Sequence, residues 1–184
     1  QLNVLAGGAD KAQGLLGELK AMGSSSSYEF PALAEGAKTM LSFGVAQDQV
    51  MPIMRQLGDL AGGSSEKMAS LGLVMGQISS MGRLTGGDLL QLINAGFNPL
   101  VTLSEKTGES MESLRKRMED GALGFDEVRQ AMTIATSEGG KFFGMMEAQG
   151  KTTSGLLSTL QDNVNEVFAA LGQPINDALK PVLE

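Results

Sequence analysis

Apolar stripes of helical period, each cut short by glycine, are the feature that most restricts what this chain can fold into. Val50, Ile53, Met54, Leu57, Leu60 and Ala61 recur at spacings of three and four, and Gly62-Gly63 stops the run. Met68, Leu71, Val74, Met75, Ile78 and Met81 repeat the pattern, and Gly82 stops it again. Side chains three and four residues apart share one face of an α-helix, so each run predicts an amphipathic helix with one buried side. Alternating β-branched runs, which a half-buried strand needs, are missing throughout. The expectation is an all-α fold: a compact multi-helix domain of about seven to nine short, Gly-broken helices.

The same punctuation extends along the chain. Asp10–Met22 carries Leu15, Leu16 and Leu19 on one side, and Gly23–Ser27 reads as a flexible Gly/Ser linker. Pro31 suits the first turn of a helix through Ser42 with Leu33, Ala37, Met40 and Leu41 on one face; Gly44 ends it. Ser64 or Ser65 caps the helix of the second stripe. Thr85 with Asp88 three residues on is a capping-box variant opening a helix with Leu89, Leu92 and Ile93. Gly96–Pro99 is a turn, followed by a short helix to about Lys106. Ser110 caps Met111–Asp120, whose inward residues are Met111, Leu114 and Met118. Asp126 and Glu127 sit in the first turn of a helix to about Thr136, where carboxylates favour the helix dipole. Ser137–Gly140 is a loop, and Phe142, Phe143, Met145 and Met146 form an apolar knot after it. Leu57, Leu71, Ile78, Leu92 and Leu114 are the expected core.

The C-terminal part differs. Leu157, Leu160, Val164, Val167 and Leu171 alternate by three and four over about two heptads, the a/d seam of an amphipathic helical arm. Two heptads fit a coiled coil and one more core helix equally well. The expected division is an N-terminal helical segment and linker over 1–24, a helical domain over 25–150, and the arm over 151–184. Gln1 is not an initiator Met and the pattern is still running at Glu184, so the chain is expected to be a piece of a longer polypeptide. Its N-terminus lacks the basic stretch and apolar core of a targeting signal.

Composition removes several function classes. The formal net charge of −7 makes the chain a poor non-specific ligand for nucleic acid or anionic lipid, which are polyanions. Its densest basic run, Arg115-Lys116-Arg117, is flanked by Glu112, Glu119 and Asp120. With no Cys and no His, zinc sites of the Cys/His kind, thiol catalysis, disulfides and a Ser-His-Asp triad are all excluded within this sequence. The longest uncharged windows, Met68–Gly82 and Leu89–Ser104, fall short of the ~20 apolar residues of a membrane-spanning helix. Aromatics are only 4% of residues while Met numbers 12, so the core must be built from Leu, Met, Ala, Val and Ile.

The chemical motifs fail on inspection. Gly144 through Gly150-Lys151-Thr152 approaches a phosphate-binding loop, but it has five residues between its glycines where four are needed, and helix where a strand is needed. Glu119/Asp120 and Asp126/Glu127 are carboxylate pairs at helix ends beside glycines, where carboxylates are solvated rather than tuned for acid–base work. No calcium loop is present. No cofactor, metal or enzymatic activity is expected. Arg83, at a break between two apolar helices, is a candidate anchor for a carboxylate or carbonyls across the junction. Phe97, in the turn before Pro99, is a second candidate junction or interaction residue, and Leu157, Leu160, Val164, Val167 and Leu171 are a third set.

Five segments in order resemble the domain found toward the N-terminal part of tail tape-measure proteins of phages and prophages. They are Tyr28–Gly44; Gly82–Gly86 with Leu89; Asn94–Leu100; Thr107–Met111; and Ala135–Phe143. The resemblance covers roughly residues 25–172 and leaves 1–24 unplaced. It implies a structural component of the virion tail, part of a long helical protein that sets tail length and occupies the tube lumen. It also implies tail-tube and tail-assembly chaperone partners, action as several copies together, and residence in the host cytoplasm during assembly. A rise of ~1.5 Å per helical residue converts chain length into distance. The alternative is a helical binding module with a Met-rich apolar groove.

Overall fold

The computed structural model describes residues 2–152 and Leu156, and among them every regular element is helical. The elements are α1 (Leu2–Leu5), α2 (Ala9–Ser24), α3 (Phe30–Ser42), α4 (Gln47–Ala61), α5 (Ser65–Met81), α6 (Gly86–Asn94), α7 (Pro99–Thr107), α8 (Met111–Glu119) and α9 (Phe125–Thr136). A helical stretch, α10, follows and is described over residues 145–152.

Local chemistry accounts for most boundaries. Ser64 accepts the Lys67 N–H and caps α5, and Ser110 does the same for α8 with Ser113. At α6 the capping box is complete: Thr85 Oγ accepts the Asp88 N–H at 3.2 Å, while Asp88 Oδ2 accepts the Thr85 N–H at 2.9 Å and its hydroxyl at 2.6 Å. Asn98 caps α7 by accepting from Leu100 and Val101, with Pro99 in the first turn. Gly82 closes α5 in the left-handed region that L side chains avoid.

The helices bury one shared core. α3 and α5 are in the closest contact, because glycines line their crossing: a Cβ on Gly72 would lie 3.9 Å from the Gly36 Cα. Further along, the Phe43 ring fills the space over Gly76. α2 packs on α3 and α4, α6 on α5, and α9 on α4, α5 and α7, with α8 on α7. Leu57, Leu71, Ile78, Leu92 and Leu114 are all fully buried, as is every member of the α4 stripe to within 3%.

Three expectations need correction. Gly23 and Ser24 are helical and not linker, because α2 runs on past Met22 to bury that side chain in the core. Met81 is 54% exposed at the last position of α5, and Ile93 is 41% exposed although Leu92 beside it is fully buried, because adjacent helix positions are turned by about 100° and only the Leu92 side of α6 meets the core. The apolar knot is only half apolar contact: Phe142 and Met146 pack on the core, while Phe143 and Met145 face solvent.

Candidate assembly site at the junction of the body and α10

The turn after α2, the end of α4 and the start of α10 converge at one place. Tyr28 is buried, and its hydroxyl donates to the Gly58 carbonyl at 2.8 Å and accepts the Gly63 N–H at 2.8 Å. One phenol thus ties the last turn of α4 to the loop beyond it. Burial pushes this phenol above its ordinary range; the Gly63 N–H opposes the shift and the nearby Asp59 charge adds to it. Asp59, on the next position of α4, accepts the Met146 N–H at 2.9 Å across 87 residues of sequence. Its carboxyl is also pushed up by burial, with the Met146 and Gly144 amides pulling the other way.

Close approach is possible here because the facing positions are glycines. A Cβ on Gly58 would lie 2.5 Å from Met146 Sδ and 3.1 Å from Met22 Cε. A Cβ on Gly150 would lie 2.6 Å from the Ser25 carbonyl oxygen, and Gln149 occupies the space over Gly63. Before α10, Phe142 meets Phe97 edge to face at 6.4 Å and its N–H donates to the Ala135 carbonyl at 2.8 Å.

The sequence-derived candidates fall as follows. Phe97 is 1% exposed and joins the turn before α7 to the loop after α9 from within the core. Arg83 is exposed, and its guanidinium makes no hydrogen bond or ion pair among the described residues. Its junction is tied by backbone instead, the Leu84 N–H donating to the Leu123 carbonyl at 2.8 Å. Leu157, Leu160, Val164, Val167 and Leu171 lie outside the described residues. Lys151 of the near-phosphate-loop motif is exposed on α10 and pairs with Glu147 at 2.8 Å. Glu127 serves its own helix, accepting the Gly124 N–H at 2.8 Å. Seven of the twelve methionines belong to the core and are not exposed in a groove: Met22, Met40, Met51, Met54, Met68, Met75 and Met132 are no more than 5% exposed. Tyr28 and Asp59 were missed by the sequence reading. The one available signal was the chain's single Tyr, a polar-ended ring beside a Gly/Ser tract.

A family model described as Tape measure protein matches residues 1–173. The chain belongs to the tape measure protein family. The match takes in residues 1–24, consistent with α2 sharing the core of the body. No curated protein and no solved structure matches the chain. Family membership makes it a tail protein of a phage or prophage. In this tape measure chain no helix among the described residues is long and apolar enough to cross a membrane.

Proposed function

We propose that this segment is a compact, non-enzymatic structural module of a tape measure protein, whose parent chain sets tail length and occupies the tail-tube lumen. The family match over residues 1–173 carries the reading. The shape of the module is consistent with it. Short helices closed on one core cannot act as a length gauge, so the gauge is assigned to parts of the parent chain other than this body. The partners are the tail tube and a tail-assembly chaperone, with residence in the virion tail and, during assembly, in the host cytoplasm. The non-enzymatic reading rests on the family match, tape measure proteins being structural, and on a sequence without His or Cys.

The test is tail length. Inserting about 60 helix-forming residues after Leu171 in the parent gene lengthens tails by about 90 Å, at ~1.5 Å per residue. Tails of unchanged length on electron micrographs refute the reading.

A further inference from the structure

Helix α10 starts without a cap of its own. The residue before it, Gly144, has no side chain, and its φ of +66° is a backbone turn that L residues rarely adopt. An α-helix leaves its first N–H groups without partners, and a Ser, Thr, Asp or Asn just before the helix usually takes one of them. Here Asp59 does so from α4, accepting the Met146 N–H at 2.9 Å. The first turn of α10 is therefore completed only when α10 lies on the body.

The contact that seats it is small and specific. Met146 is the packed apolar side chain of α10, lying over Gly58, while Phe143 and Met145 stay exposed. Gly150 rests directly on the backbone of Ser25 and Ser26. Upstream, Phe142 is fixed to the body through Phe97 and Ala135. Gly144 thus stands between a fixed residue and a lightly held helix, and a Cβ there would meet nothing within 4 Å. Segments with few buried apolar contacts open independently of the core. The docked face also has a continuation in sequence: Met146, Gly150, Thr153, Leu157, Leu160, Val164, Val167 and Leu171 keep one unbroken spacing of fours and threes.

We propose that the Asp59 carboxylate, the glycine face of Gly58 and Gly150, and the pivot at Gly144 form a latch that seats α10 on the body. The latch opens as a unit while the body stays folded, and its opening uncovers Met146 and Gly150. Opening also removes the carboxylate that caps the start of α10, so release and fraying of the first turn are one event. The latch is a property of the isolated chain and does not depend on the tail role.

Hydrogen exchange on the purified chain, read by mass spectrometry, tests it. Asp59→Ala removes the cap, and Gly150→Leu sets a side chain against the Ser25 carbonyl. Each lowers protection of the 145–152 amides, Asp59→Ala by roughly five- to tenfold and Gly150→Leu by more, with α3, α4 and α5 unchanged. Ala148→Leu, on the exposed side of α10, leaves protection at the wild-type level. The proposal is overturned if the 145–152 amides are unprotected in the wild type, or if neither variant moves them. It is equally overturned if α3, α4 and α5 lose protection in step with α10.

Discussion

Tyr28→Phe isolates the tie at the end of α4 without changing core volume. The substitution deletes one oxygen that makes two hydrogen bonds, both 2.8 Å, and leaves the Gly63 N–H and the Gly58 carbonyl without that partner. Each such bond contributes about 1 kcal/mol net, so the expected loss is about 2 kcal/mol at neutral pH. That corresponds to a fall in Tm of roughly 4–8 °C for a domain of this size. A pH series gives a second, independent reading. Folding raises the phenol pKa, so the folded state holds the proton more tightly than the unfolded chain. Tyr28's contribution is then complete below the unfolded value of about 10 and is lost as pH rises from there through the folded value. Wild type and Tyr28→Phe should accordingly converge in stability above pH ~10. Urea titrations at neutral and alkaline pH measure the gap. Because the chain has one Tyr and no Trp, tyrosinate absorbance reports this residue alone. A neutral-pH gap below about 0.5 kcal/mol, or a folded-state titration at the ordinary tyrosine value, would refute the reasoning.

Leu71→Ala should cost roughly 2–5 kcal/mol in denaturant titration, since the side chain is fully buried in the core. Asp88→Ala removes both acceptor contacts to Thr85 and should cost about 1–2 kcal/mol, with amide exchange rising first at the start of α6. Leu160→Lys with Val167→Lys tests the arm: sedimentation equilibrium should show association of the wild-type chain at high micromolar concentration and none in the variant, with helicity of the body retained, because charge in an a/d seam is costly to desolvate. A wild type that stays monomeric would show that the seam does not serve self-association.

The helices were legible because their signals are local. Spacing of three and four residues, a Ser or Thr before the first turn and a glycine after the last all act within one or two turns, so α4, α5 and the Thr85–Asp88 box could be read before any packing was known. The same locality explains the errors. Periodicity marks the apolar side of a helix, but how far the neighbour reaches decides burial, which is why Met81 shares the α5 stripe and stays exposed. It also explains why Gly23-Ser24 looked like linker: composition favours a break there, and burial of Met22 carries α2 through it. The junction at α10 was not legible at all. Its bonds join residues 30, 35 and 87 positions apart, and in sequence Asp59 is an ordinary charge near a helix end and Gly150 an ordinary breaker. The sequence by itself determined the helices, their caps and the absence of Cys/His chemistry, because each depends on neighbours along the chain. Only the tertiary structure decided that Tyr28 ties α4 to its loop, that Asp59 caps a helix it does not belong to, and that glycines stand where two backbones meet, because those roles exist only once distant segments are packed together.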